Sequence, residues 1–539
     1  MLMEYMKYFP YPTIRDAQKE AIDFALDALI TNDKRFVIIE AGTGVGKSAV
    51  GLTLVKYMQE HAPASGEGFG SGGYFLTTQK ILQDQYIKDF GARGMTSIKS
   101  SSNYKCKFHK GNTCAESARM LRTAEKGSEF WNTCVFKCPY KRAKRMFLES
   151  KEGVTNFPYF LAETTYSGKI TPRNVLVVDE AHNTDTELSK FVEIIVTDRF
   201  AKQLLKLQMP PLHTQLQAYT WVKDVYAPKL KSHFKHMESM LDRYVGLREK
   251  IKEFATIAKQ YELLDKHLCK INRFLEIYEK DNWVFNETSG DGKSSRKLEF
   301  KPIDVAPYAE DMIFRLGRKV IMMSASILDK DAFCETLGID PSEASFISIP
   351  SPFPIENRPI LTFPIGKMSF KEIDQTLPKL AAAVKEILEN HPNEKGIIHC
   401  HTFKIANYLK KNIRNPRLLI HNSDNREETL RKHLRAAKPT VLLSPSMTEG
   451  VDLVEDASRF QIICKVPYPY LGDKLVKKRM NKWKWWYPLK TAKTIVQATG
   501  RSVRSKDDHA VTYILDSDWD RFYQRNSALF PKGFRDCVR

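Results

Sequence analysis

The sequence predicts an α/β chain in which buried parallel strands end in ligand-binding loops. Three observations carry that reading. Ala41-Gly42-Thr43-Gly44-Val45-Gly46-Lys47-Ser48 follows the β-branched run Phe36-Val37-Ile38-Ile39 and precedes an apolar stretch, residues 49–55, that reads as a helix. Asp179-Glu180-Ala181-His182 emerges from a second apolar run, residues 174–178, at the kind of strand end where α/β sheets bind ligands. Towards the C-terminal end, Met447-Thr448-Glu449-Gly450-Val451-Asp452-Leu453 follows Val441-Leu442-Leu443. There too, Gln497-Ala498-Thr499-Gly500-Arg501-Ser502-Val503-Arg504 sets Arg501 and Arg504 three apart on one helix face.

The first element is a phosphate loop, with Ala41 where the pattern has its first glycine. Gly42, Thr43, Gly44, Val45 and Gly46 turn backbone N–H groups onto phosphate oxygens, and the following helix adds the partial positive charge of its N-terminus. Lys47 reaches the β- and γ-phosphates, and the Ser48 hydroxyl ligates magnesium. In the acidic box, Asp179 holds the magnesium through water and Glu180 orients or deprotonates the attacking water. Arg501 and Arg504 point the same way as Gln497 and can reach across a cleft to stabilise transition-state charge. Glu449, Gly450 and Asp452 lie on a strand-to-loop element able to sense those arginines. The set excludes a passive scaffold.

Between the phosphate loop and the acidic box, Cys106, Cys114, Cys134 and Cys138 follow the spacing C-x7-C-x19-C-x3-C and lead into Pro139-Tyr140. Four thiols at this spacing hold an iron–sulfur cluster or a tetrahedral zinc, or stay unliganded; the paired C-x2-C knuckles of zinc ribbons are missing. Cys269, Cys334, Cys400, Cys464 and Cys537 are scattered and read as ordinary thiols. Ser65-Gly66-Glu67-Gly68-Phe69-Gly70-Ser71-Gly72-Gly73 reads as a flexible loop before the strand Tyr74-Phe75-Leu76. Leu247, Ile251, Phe254, Ile257, Tyr261, Leu264, Leu268, Ile271, Leu275 and Tyr278 recur every three or four residues. They predict a long amphipathic helix packed on a partner helix, with the stripe as core. His399 and His401 flank Cys400 at metal-like spacing but alternate along a strand end, and read as packing residues.

Composition bounds the partners. With 539 residues, 42% of them hydrophobic, there is core for three or four domains. The net charge of +20 suits a phosphate-backbone partner whose binding weakens with salt. No secretory pattern opens the sequence and no apolar run approaches membrane-spanning length, so a soluble intracellular chain is expected.

Taken in order, the motifs resemble the iron–sulfur helicases of superfamily 2, the XPD/DinG group, along nearly the whole chain. The matching segments are Tyr11-Pro12-Thr13-Ile14-Arg15-Asp16-Ala17-Gln18, the phosphate loop, Thr77-Thr78-Gln79-Lys80-Ile81-Leu82-Gln83-Asp84-Gln85 and the acidic box. They continue with Met323-Ser324-Ala325-Ser326-Ile327, His399-Cys400-His401-Thr402-Phe403, Glu449-Gly450-Val451-Asp452-Leu453 and the Gln497 to Arg504 helix. Ser326 stands where the family has Thr, Asp518 where it has Arg, and Pro158 replaces the usual His neighbour.

The resemblance implies two RecA-like P-loop NTPase domains, with an iron–sulfur cluster insertion and a helical arch insertion in the first. Placed on this chain, the first domain takes residues 1–94, 151–184 and 281–345, the cluster insertion 95–150, the arch 185–280 and the second domain 346–539. Arg15 and Gln18 then read adenine, and the four cysteines hold a [4Fe–4S] cluster. Thr77, Thr78 and Gln79 hydrogen-bond a tracked strand. The basic run Lys141, Arg142, Lys144 and Arg145 lies beside the duplex junction. A second basic and aromatic run, residues 477–487, is a candidate stacking platform in which Trp486 reads as core. The implied activity is an ATP- and Mg2+-dependent DNA helicase moving 5′ to 3′ on single-stranded and forked DNA, as a monomer away from membranes. An RNA helicase and a translocase that does not unwind remain the alternatives.

Overall fold

The computed structural model describes residues 4–539 apart from 43, 63–67, 118–120, 122–123, 245–250, 289–294, 423–424, 446–452, 454, 501, 504 and 506. Its strands are β1 (Phe36–Ala41), β2 (Gly70–Thr77), β3 (Thr96–Ser97), β4 (Glu152–Asn156), β5 (Arg173–Asp179), β6 (Ile194–Thr197), β7 (Trp283–Thr288) and β8 (Lys297–Pro302). Then follow β9 (Gly317–Ser324), β10 (Ala344–Ile349), β11 (Ile360–Gly366), β12 (Gly396–His399), β13 (Leu418–Ile420), β14 (Val441–Ser444), β15 (Phe460–Ile463) and β16 (Val511–Asp516).

The strands form a seven-stranded sheet in the order β10-β1-β9-β5-β2-β4-β3, a six-stranded sheet β11-β16-β15-β12-β14-β13 and a three-stranded sheet β6-β8-β7. The two large sheets are parallel. Every residue of β1 and of β5 is buried, because helices cover both faces of such a sheet and leave no solvent side for polar alternation. β9 lies between β1 and β5, all three run the same way, and their C-terminal ends therefore present the phosphate loop, the acidic box and Ser324 along one edge.

The cysteine-bearing insertion leaves the first sheet after β3 and returns at β4. Its helix Pro139–Glu149 buries Phe147 on Tyr74, ring centroids 5.6 Å apart, and the absence of a side chain at Gly153 makes room for that ring. The second insertion carries the helices Ala227–Tyr244 and Ile251–Ile277, packed on each other with Phe234 stacked on Tyr261 at 4.5 Å. Tyr261, Leu264, Leu268 and Ile271 are buried as the periodicity requires, and Ile257, Leu275 and Tyr278 pack against the same core. Leu247 lies outside the described residues. The long helix also meets the short helix Cys114–Ser117, so the two insertions touch.

Two sequence boundaries shift. The second insertion runs past residue 280, because β8 pairs antiparallel with β6 and with β7, and the chain closes that small sheet before rejoining the first domain. The first sheet ends at Ile349 rather than at 345, since β10 pairs with β1 through Ala41↔Ile349. The glycine-rich stretch also differs from expectation: Gly70–Gly73 opens β2 instead of forming loop. Gly72 has φ +95°, and a Cβ there would meet the Lys151 carbonyl oxygen at 2.0 Å, so only glycine lets the strand pass this close. Among the described residues no helix is long and apolar enough to cross a membrane.

Candidate nucleotide site between the two parallel sheets

The phosphate loop turns at Gly44 and Gly46, both at φ +86°. A Cβ on Gly44 would lie 2.1 Å from the Phe353 ring, and one on Gly46 2.4 Å from Gln18 Nε2, so neither position admits a side chain. Lys47 opens the helix Lys47–His61 and donates from Nζ to the Ala41 carbonyl at 3.1 Å. Arg15 and Gln18 converge on this loop: Arg15 Nη1 donates to the Gly44 carbonyl at 2.6 Å, and Gln18 Oε1 accepts the Arg15 N–H at 3.0 Å.

At the end of β5, Asp179 is buried with both oxygens engaged. Oδ1 accepts the Glu180 N–H and Oδ2 the Tyr86 hydroxyl, each at 2.9 Å. Glu180 sits at φ +51°, a left-handed conformation of the kind that gathers at functional sites. Its carboxylate lies 3.3 Å from His182 Nδ1, which in turn lies 2.8 Å from Ser324 Oγ. Ser324 Oγ accepts the Ser326 N–H at 3.1 Å, and Gln497 Nε2 donates to Ser326 Oγ at 3.2 Å. Gln497 belongs to the helix Trp486–Thr499 of the second domain, so this polar chain crosses from one parallel sheet to the other.

A second tie runs beside it. Lys493 Nζ, one turn earlier on the same helix, donates to the His182 carbonyl at 2.7 Å. Burial alone would raise the Asp185 carboxyl, but the Lys493 and Lys490 ammonium groups and the Arg479 guanidinium hold it below the usual carboxylate range. Between the domains lies a cavity of about 790 Å³, lined by Gly44, Lys47, Asp179 and Glu180 on one side and by Gln497 and Val503 on the other. Thr43, Glu449, Gly450, Asp452, Arg501 and Arg504 lie outside the described residues.

Comparison with known proteins agrees with this arrangement. A family model described as the type III restriction enzyme, res subunit, matches residues 12–209, and one described as the helicase C-terminal domain matches residues 385–537. The ATP-dependent DNA helicase DinG of Photobacterium profundum is 22% identical over 43% of this chain and 36% of its own length. A probable ATP-dependent helicase of Methanocaldococcus jannaschii is 21% identical over 96% of this chain and 94% of its own. A solved XPD helicase superposes with a TM-score of 0.65 at 16% identity, covering 96% of this chain and 99% of the other. Both halves of the chain are thus similar to XPD/DinG-type superfamily 2 helicases.

Several residues that the sequence marks for nucleic acid are engaged inside the folded chain. Thr77 is buried, and its hydroxyl donates to the Gln79 carbonyl at 3.2 Å, whereas Gln79 is exposed and Thr78 half-buried. Lys144 pairs with Glu163 at 2.6 Å and Lys141 faces the Cys134 and Cys138 thiols, which leaves Arg142 and Arg145 as the exposed cations of that run. Residues 477–487 clamp the second domain onto the first instead of forming an open stacking platform. Arg479 Nε donates to the Ile303 carbonyl at 2.8 Å, Lys482 pairs with Asp304 at 2.6 Å, and Trp485 Nε1 donates to Glu335 at 3.0 Å. Trp486 is half-buried with Arg479 over its ring. His401 Nε2 lies 3.3 Å from the Tyr468 carbonyl, a strand-end contact rather than a metal site.

The cysteine insertion brings thiols together without closing a metal site. Cys114 Sγ and Cys138 Sγ lie 3.5 Å apart, and Cys106 and Cys134 act electrostatically on Cys114. The Cys114 contact holds the Cys138 thiol down at about 6, against its burial, with help from the Tyr140 and Lys141 N–H groups at the helix N-terminus. Yet among the described residues no three His, Cys, Asp or Glu side chains are placed to hold a metal ion. The donor chemistry suits a cluster; the geometry does not by itself demand one.

Two residues of the site escaped the sequence. Tyr86 reads as one more core aromatic on the helix Lys80–Phe90, and Lys493 as one more surface cation. Nothing in their local pattern announces that their polar atoms reach Asp179 and His182.

Proposed function

We propose that this helicase hydrolyses ATP in the interdomain cleft, moves 5′ to 3′ along single-stranded DNA and separates forked duplex. The observation that carries the proposal is the polar chain from Glu180 through His182, Ser324 and Ser326 to Gln497, which gives the second domain a direct hold on the acidic box. In this reading Lys47 and the loop N–H groups bind the β- and γ-phosphates, Arg15 and Gln18 read the base, and Glu180 positions the attacking water. Ser48 and Asp179 would hold magnesium, which would supply charge neutralisation at the phosphates. Arg501 and Arg504 complete the charge clamp when the domains close, and Glu449, Gly450 and Asp452 respond to them. The name of one relative, the ATP-dependent DNA helicase DinG, specifies DNA, which supports that polymer here.

The same proposal assigns a [4Fe–4S] cluster to Cys106, Cys114, Cys134 and Cys138, supported by the closeness of Cys114 to Cys138. Thr78, Gln79, Arg142 and Arg145 are the proposed strand contacts. The test uses forked DNA with a single 5′ or 3′ tail and anaerobically purified protein. Unwinding of the 5′-tailed fork alone is expected, together with about four irons per chain. Lys47→Ala is expected to lower ATP turnover by ~10²-fold or more and keep strand binding. Unwinding from the 3′ tail, or activity only on RNA, overturns the reading.

A further inference from the structure

Tyr86 lies on the buried face of the helix that follows Thr77–Gln79, wedged between Phe75 and Phe90 with ring centroids 5.6 and 5.9 Å away. That packing fixes the ring and with it the direction of the hydroxyl. The hydroxyl donates to Asp179 Oδ2 at 2.9 Å. It therefore ties the helix Lys80–Phe90 to the first residue of the acidic box at the end of β5. The Asp179 carboxylate is held at Oδ1 by the Glu180 N–H and at Oδ2 by Tyr86, so its rotation is blocked from both sides. Phenylalanine or leucine would fill the same apolar slot. An oxygen buried there is stable only because it is hydrogen-bonded.

We infer that Tyr86 is a positioning residue for the magnesium of the nucleotide complex, orienting Asp179 from behind. The inference rests on the nucleotide-site reading above. Partners of this outer kind typically change metal affinity by 10–100-fold when removed, because the ligand they hold must be ordered at the moment of binding.

The test uses the full chain, wild type against Tyr86→Phe, with Phe90→Leu as a packing control on the same helix. Mn2+ binding in the presence of a non-hydrolysable ATP analogue is read by electron paramagnetic resonance. ATP turnover is titrated with Mg2+, and analogue binding is measured in EDTA. Tyr86→Phe is expected to weaken Mn2+ binding and raise the half-saturating Mg2+ by roughly tenfold or more. Turnover at saturating Mg2+ and the metal-free affinity stay near wild type, and Phe90→Leu leaves metal affinity unchanged. Wild-type Mn2+ affinity in Tyr86→Phe overturns the inference, as does an equal loss in Phe90→Leu, which would assign the effect to packing. A wild-type chain that binds no metal–nucleotide complex overturns the nucleotide-site reading itself, and this inference with it.

Discussion

Glu40, the residue before the phosphate loop, shows how much a single buried carboxylate organises. Its Oε2 accepts the Leu328 N–H at 2.6 Å and its Oε1 accepts the Ser348 hydroxyl at 2.7 Å. Leu328 is held at φ +71°, a conformation that costs a non-glycine residue on the order of 1 kcal/mol, and its side chain packs on the core of the second domain. Glu40→Gln keeps the shape but presents an amide donor to one of these two donors. A loss of about 1–3 kcal/mol in unfolding free energy is therefore expected from denaturant titration. Glu180→Gln tests chemistry instead of stability: single-turnover hydrolysis is expected to slow by ~10²–10⁴-fold if this carboxylate handles the attacking water. At this scale the phosphate loop was legible because its glycines and its lysine have no packing rationale. Glu40, Tyr86 and Lys493 were not, because their partners Leu328, Asp179 and His182 come from distant parts of the chain.

Elements with local periodicity could be read, and those made by distant pairing could not. The helix Ile251–Ile277 follows from its apolar repeat alone, whereas the β6-β8-β7 sheet depends on the pairing Ile194↔Phe300, which no local pattern encodes. The long helix also carries a pH-dependent contact. His267 Nε2 lies 2.8 Å from the Tyr226 hydroxyl, and burial pushes the imidazole from its ordinary 6.5 down to about 4. The unfolded chain therefore binds a proton between about pH 6.5 and 4 that the folded chain refuses. Stability from this group is complete above pH 6.5 and is lost as pH falls, by at most about 1.4 kcal/mol per pH unit in that window. Thermal unfolding of wild type and His267→Gln between pH 7.5 and 5 checks this, since the variant is expected to lose less stability on acidification.

For the whole molecule, the expected RecA-like pair is present as two parallel sheets, yet part of the basic surface serves a purpose that composition hides. The net charge of +20 suits a polyanion, but Arg479, Lys482 and Lys493 are spent on the first domain. Not all of these ties carry equal weight. Lys482–Asp304 is half exposed at the lysine and contributes at most about 1 kcal/mol. Lys493 is different because its bond to the His182 carbonyl is charge-assisted, lies next to Asp185 and shares a helix with Gln497. Lys493→Met removes that hold while leaving Lys490 and Arg479 beside Asp185, so the fold is expected to survive. A lost charge-assisted bond of about 1.5–3 kcal/mol corresponds to a roughly tenfold or larger fall in the response that depends on domain contact. Strand-stimulated ATP turnover is that response: it is expected to drop in Lys493→Met while basal turnover and nucleotide affinity change little. A variant stimulated as strongly as wild type would reduce Lys493 to packing, with the Gln497–Ser326 bond still reaching the acidic-box side of the cleft.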